Sequence, residues 1–243
     1  MSAESMTELL EAGVHYGHQT KRWNPRMRDF ILEEKNSIHI IDLSKTLVQL
    51  ASASEFLAGI VARGGKILFV GCKKQAQEAV KEASQACGQF YVNQRWLGGT
   101  LTNLVTIRRS VSKLRDFEAL EKSPAFSKIN KAEASALRRE ANRVRKNLEG
   151  VLDMEKLPDA VVIIDTVKES IAVTEARKLG IPIVALVDTN SNPEEIDHPV
   201  AGNDDAIRSI RIILHKLVGP LVKNRPAAHA EPAPAEELAA VAE

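Results

Sequence analysis

Two residue periodicities alternate along this chain, and that alternation constrains its fold most. Three short runs are almost wholly apolar and rich in β-branched residues: KILFVG (66–71), DAVVIID (159–165) and IPIVALVD (181–188). IHIID (38–42) is a shorter fourth run, and FYV (90–92) a fifth. A strand that is apolar at every position buries both faces, which implies a parallel sheet covered by helices. Amphipathic helical patterns separate these runs. Leu43–Val61 follows the IHIID run, with Ser44 as candidate N-cap and Gly64-Gly65 as a stop. Lys73–Ala86 ends at Gly88, and Lys168–Leu179 ends at Gly180 ahead of Pro182. Asp204–Leu217 comes last. Strand–helix alternation with glycine stops is the βαβ pattern, so the expected fold is a doubly wound α/β domain.

Residues 104–150 break the rhythm, because two helical patterns follow one another with no strand between them. The first carries Leu104, Ile107, Val111 and Leu114. The second carries Ala134, Leu137, Ala141, Val144, Leu148 and Val151 at alternating spacings of three and four. That spacing is a coiled-coil seam. An antiparallel helical hairpin is therefore expected, inserted into a discontinuous α/β domain made of residues 1–103 and 151–224. Residues 225–243 are Ala/Pro/Glu-rich without periodicity and are expected to be disordered.

Charge is unevenly placed. The formal net charge is only +1. Residues 104–150 carry twelve basic and six acidic residues, whereas 151–205 carry four basic and twelve acidic. Such lopsidedness gives one part of the surface a positive field suited to a polyanion. Cys72 and Cys87 stand outside any CxxC pattern, which argues against a zinc ribbon or a redox pair. The first twenty residues hold Glu4, Glu8 and Glu11 and no long apolar run, and no stretch reaches the roughly 20 apolar residues that span a bilayer. A cytoplasmic protein without membrane contact is expected.

Four stretches carry candidate chemistry. HYGHQTKRWNPRM opens at His15 and is free of acids through Arg28. Lys21, Arg22, Arg26 and Arg28, with Trp23 among them and Pro25 stiffening the backbone, suit structured RNA, which is gripped by phosphate, 2′-hydroxyl and stacking contacts. NQRWLGGTLTN (93–103) offers Arg95 for a phosphate fork, Trp96 as a stacking face or a core residue, and Gly98-Gly99 for close backbone approach. Thr100 and Asn103 add hydrogen-bonding groups, and Arg108 and Arg109 extend the basic run into the hairpin. GCKKQ (71–75) sets Lys73 and Lys74 after a strand, where α/β folds hold phosphates, but it lacks both nucleotide fingerprints. Asp165 and Asp188 end strands, with Asp204 and Asp205 further on. Those carboxylates are helix caps or, with His18, oxygen and nitrogen ligands for a structural Mg²⁺ or Zn²⁺. His15 and His18 lack the HExxH pattern of zinc enzymes. No serine or cysteine nucleophile has a local partner signature.

Seven ordered blocks carry a family resemblance: AGVHYGHQTKRWNPRM, NSIHIIDL, KILFVG, QRWLGGTLTN, LPDAVVIID, LGIPIVALVDTN and GNDDAIRSI (202–210). From about Met6 to about Val218 the chain resembles the bacterial small-subunit ribosomal protein S2 family. The resemblance implies a flavodoxin-like parallel sheet with an inserted coiled-coil hairpin. It implies a non-enzymatic constituent of the small ribosomal subunit that needs no cofactor and takes no small-molecule substrate. The implied partners are small-subunit ribosomal RNA and neighbouring ribosomal proteins, including the large messenger-binding protein built of OB-fold repeats. The family's RNA-facing segments correspond to the Lys21–Arg28 loop, the Arg95–Asn103 loop and the basic hairpin. The competing reading is an α/β enzyme or sensor that takes a phosphorylated small molecule at Lys73, Lys74 and the strand-end aspartates.

Overall fold

The computed structural model describes residues 3–124, 126 and 129–223. The expected disordered tail, 225–243, lies outside the described residues. Five strands form a parallel sheet: β4 (Ile67–Val70), β5 (Phe90–Val92), β6 (Ala160–Ile164), β7 (Ile183–Val187) and β8 (His198–Ala201). Their spatial order is β5-β4-β6-β7-β8. Counted from β4, this is the 2-1-3-4-5 order of flavodoxin-like folds, with its topological switch between β4 and β6. β4, β6 and β7 are buried at every position, which explains their unbroken apolar runs. Alternate residues enter opposite layers. Ile67 and Phe69 pack with Leu57, Val61, Val80 and Leu217, while Leu68 and Val70 pack with Trp96, Val151 and Val173.

Helices α1 (Ala3–Glu11), α2 (Leu43–Ala62), α3 (Gln77–Cys87) and α7 (Ile207–Lys223) contribute to the first layer, and α6 (Ser170–Leu179) to the second. Gly88 and Gly180 end α3 and α6 in the left-handed conformation, as the sequence pattern requires. The N-cap of α2 is Asp42 rather than Ser44; its carboxylate accepts from the Ser44 amide at 2.9 Å. Asp42 wins because it alone has the extended backbone of a cap.

The IHIID run does not join the parallel sheet. It forms β3 (Ile38–Ile41) at the centre of a separate antiparallel sheet with β1 (Tyr16–Gln19) and β2 (Ile31–Lys35). A two-residue turn joins β2 to β3, and both turn residues, Asn36 and Ser37, have positive φ. That geometry forces an antiparallel hairpin instead of a crossover. β8, with the sequence HPVA, was missed from sequence because Pro199 and a four-residue length hide an edge strand.

Between β5 and β6 the chain runs out into α4 (Leu104–Glu121) and back through α5 (Lys131–Leu148). Arg138 pairs with Glu121 at 2.8 Å, and Arg145 pairs with Glu118 one turn nearer the root, so the helices are antiparallel. Ile107, Val111, Leu114, Ala134 and Leu148 are buried along the seam. At its root Gly150 lies so close to Tyr91 that a Cβ there would sit 2.1 Å from the Tyr91 carbonyl oxygen.

Candidate nucleic-acid interface and the charged cluster beneath it

All five parallel strands end on one edge, so the loops after them share it. The antiparallel sheet is clamped to the same edge. Its β1 strand presses on the loop after β7: the His18 amide donates to Thr189 Oγ1 at 2.9 Å, and a Cβ on Gly17 would lie 2.6 Å from the Thr189 methyl. The Asn24 amide donates to the Thr189 carbonyl at 2.7 Å, and the Asn203 carboxamide donates to the Tyr16 carbonyl at 2.7 Å. Only a residue without a side chain at Gly17 permits this approach.

The basic loop 20–30 follows directly. Two short 3₁₀ turns, Thr20–Arg22 and Pro25–Phe30, shape it, with Asn24 capping the second. Met27 is fully buried and anchors the loop. Lys21, Arg22, Arg26 and Arg28 are all exposed around that anchor. Arg26 alone is engaged, by Glu194 at 3.2 Å. Trp23 is half-buried, its ring 5.2 Å from that of His39.

The loop 93–103 is held by a residue the sequence reading missed. Glu175, on α6, is 7% exposed and accepts five hydrogen bonds. Its Oε1 accepts from Gly99 N at 2.7 Å and the Trp96 indole at 3.2 Å. Its Oε2 accepts from Leu101 N, Thr102 N and Thr102 Oγ1, each at 3.0 Å. Burial pushes the Glu175 carboxyl up, but the donated hydrogen bonds outweigh this and leave its pKa below the usual carboxylate value. The available signal was an acid on the apolar face of α6, beside Ala172, Val173 and Ala176.

This cradle decides between the two readings of Trp96. The ring is 7% exposed and packs in the second core layer, so it offers no stacking face. Thr100 is likewise buried, its hydroxyl donating to the Leu97 carbonyl at 2.6 Å, and it does not face solvent as a phosphate ligand must. Arg95, Asn103, Arg108 and Arg109 are exposed.

Beneath the loops lies a compact charged cluster at the switch between β4 and β6. Helix α3 starts at Gln77, not Lys73, so neither lysine of GCKKQ sits in its first turn. Lys74 is exposed, whereas the Lys73 side chain is 12% exposed and turned inward. Its Nζ lies 2.7 Å from Asp204, 2.7 Å from Asp205 and 3.1 Å from Asp165. Three carboxylates occupy the three donors of the ammonium and leave none for a phosphate. Burial lowers the Lys73 pKa, but the hydrogen bonds it donates to Asp204 and Asp205 outweigh this, and the net shift is upward. Asp165 takes a positive φ of 67° at the end of β6, and its Oδ1 accepts from the Lys168 amide at 3.0 Å.

His18 completes the cluster. Its Nδ1 is 2.9 Å from Asp188 Oδ2, and its Nε2 is 3.5 Å from Asp205 Oδ2. The hydrogen bond to Asp188 raises its pKa above the ordinary histidine value, against burial. Burial, with Asp188 and Asp165 nearby, pushes Asp204 up to about 7. The two histidines of the opening stretch therefore part company. His15 packs against Tyr16, with ring centroids 4.0 Å apart, and burial lowers its pKa. His15 lies in the turn before β1 and His18 within the strand, so the chain does not present the pair to one site.

The crevice where this topology ordinarily receives a ligand is thus filled by the protein's own ion pairs. Cations without a carboxylate partner among the described residues line the rim and the hairpin, Arg22, Arg28, Arg95 and Arg108 among them. A flavodoxin-like sheet with a helical hairpin inserted between β5 and β6 defines the class of the fold. The chain matches the family described as Ribosomal protein S2 over residues 9–222, and it belongs to that family. It is accordingly a structural protein of the small ribosomal subunit, a component of the ribonucleoprotein particle that carries out translation, and its family is structural rather than enzymatic. No helix among the described residues is long and apolar enough to cross a membrane.

Proposed function

We propose that this protein binds small-subunit ribosomal RNA through the edge formed by loops 20–30 and 93–103 and continued along α4. The observation that carries the reading is the distribution of uncommitted cations. Lys21, Arg22, Arg28, Lys74, Arg95, Arg108 and Arg109 are exposed, and none has a carboxylate partner among the described residues. Phosphate is the partner that unpaired, solvated arginines on irregular backbone fit best. Trp23, half-buried, fixes the loop and leaves part of one face for a base or sugar. The bound state is cytoplasmic, within the small subunit.

Docking of neighbouring ribosomal proteins, the large messenger-binding OB-repeat protein among them, is assigned to the α1–α2–α7 face. An open groove of about 550 Å³ there is lined by Leu47, Leu50, Ala51, Ala58 and Pro220, and Leu10 and Val48 stand exposed on α1 and α2. Apolar surface of this kind fits protein better than RNA.

The test is sedimentation of native lysate in moderate and then high salt, with detection of this chain. Co-sedimentation with small subunits that is lost only at high salt supports the reading, because phosphate contacts release counterions. Combined substitution Arg22→Glu, Arg26→Glu and Arg95→Glu is expected to abolish incorporation. Unchanged incorporation of that variant refutes the assigned surface.

A further inference from the structure

We propose that segment 236–242 of this chain (EELAAVA) docks in the groove between α1, α2 and α7 of the same molecule, with Leu238 and Val241 against its apolar lining, and is displaced when a neighbouring protein takes that groove. The inference rests on the reading of that face as a protein-docking surface and adds what covers it in the free chain. The groove, about 550 Å³ and open to solvent, is lined by Leu47, Leu50, Ala51, Ala58 and Pro220. It also holds one acid, Glu55, and one cation, Lys216, which Glu8 already pairs. Exposed apolar side chains stand on all three helices: Leu10 on α1, Val48 on α2 and Val222 on α7. Apolar side chains gathered around a groove mark a docking surface. With its one cation spent, the groove does not attract a polyanion, so the occupant it fits is apolar peptide.

The chain itself supplies such a peptide at the right place. Helix α7 ends at Lys223, three residues after Pro220, so the polypeptide leaves the described helices beside the groove. Residues 224–243 follow, and Leu238 and Val241 are their only large apolar side chains. A spacing of three sets both on one face of a single helical turn. Ala239, Ala240 and Ala242 flank them, and side chains that small let the turn lie close against the groove.

Reach and stiffness allow the return. Pro226, Pro232 and Pro234 oppose a straight continuation of α7, because proline lacks an amide hydrogen and disfavours helix in the residue before it. Residues 224–235 form a tether of 12 residues. Extended, it spans about 40 Å, more than the roughly 30 Å length of α2. A tether this short holds the segment at an effective concentration of about a millimolar. A contact too weak to join two separate molecules is therefore populated within one, which favours the chain's own segment over a second copy. The same weakness suits displacement, since a neighbouring protein that buries more apolar surface wins the groove.

The experiment uses the full chain, free of ribosomes, with a benzophenone amino acid in place of Ala51, which is exposed on the groove wall. Irradiation is expected to cross-link it, within one chain, to residues 224–243. Trypsin cuts after Lys223 but not before Pro226, and no later Lys or Arg follows, so mass spectrometry reads that segment as one peptide. Leu238→Asp combined with Val241→Asp should cut the cross-link yield by about tenfold or more, because both apolar anchors are lost. Both positions lie beyond α7, and unchanged far-UV circular dichroism separates loss of docking from loss of fold. Absence of a cross-link to 224–243, or a yield unchanged in the double variant, overturns the proposal. A cross-link found only at the mass of a dimer overturns it in favour of a second copy. The docking reading fails separately, if the same photoprobe in assembled small subunits captures only RNA or nothing.

Discussion

Substituting Glu175 by glutamine tests whether one buried carboxylate organises the Arg95 loop. Glutamine keeps the shape of the side chain but turns one acceptor oxygen into an amino group. Oε1 now serves two donors, Trp96 Nε1 and Gly99 N, and Oε2 serves three. Whichever way the amide is turned, its NH₂ faces at least two donors and leaves them unsatisfied. Each unsatisfied donor costs about 1–3 kcal/mol, so two cost about 2–6 kcal/mol. For a chain of this size that lowers Tm by at least about 4 °C. The pH dependence has a definite sign. A carboxyl whose folded pKa is depressed adds stability above its unfolded pKa and loses it as pH falls through the folded value. The wild-type advantage should therefore shrink below about pH 4. Calorimetric unfolding at pH 7 and pH 3.5, with amide exchange across residues 96–103, reads both effects. A Glu175→Gln protein that melts within 1 °C of wild type at pH 7, with the loop amides as protected as before, refutes the cradle.

Other expectations follow from the same geometry. Gly150→Ala forces a methyl group against the Tyr91 carbonyl and ring, and it should cost about 1–3 kcal/mol or more, seen as a fall in Tm and loosening of the hairpin root. Lys73→Met leaves three carboxylates without their ammonium and should destabilise by about 3–5 kcal/mol at neutral pH, measured by denaturant unfolding. Asp204 and His18 both bind protons more tightly folded than unfolded, so stability should fall as pH rises from about 5 to 8. The double variant His18→Gln, Asp204→Asn should flatten that slope, and an unchanged slope refutes their part in it. Cys72 is only half-buried, yet burial and the neighbouring Glu169 push its thiol up to about 12. It should resist iodoacetamide at pH 8 in the folded protein, and rapid alkylation at Cys72 contradicts this.

The parallel sheet was legible in the sequence because burial on both faces writes a local signature. KILFVG, DAVVIID and IPIVALVD each carry it within a few residues, and the glycines after α3 and α6 mark their own left-handed caps. The hairpin seam was legible for the same reason, since Ile107, Val111 and Leu114 recur at helical spacing. The basic loops were visible as acid-free composition, and the structure finds their cations exposed, Arg26 paired with Glu194 and the others without carboxylate partners among the described residues. Partnership between distant segments writes no such signature. Nothing local in IHIID says that it turns back on β2 instead of crossing over, apart from the two residues Asn36 and Ser37. Nothing near Trp96 announces that Glu175, 79 residues later, will take its indole hydrogen. Lys73 and Lys74 are neighbours of the same type, yet one closes an internal ion cluster and the other meets solvent. Periodicity and composition are short-range properties of the chain and report burial and exposure. Whether a given charge is spent inside the protein or offered to a partner depends on what the fold brings opposite it, and only the tertiary structure decided that.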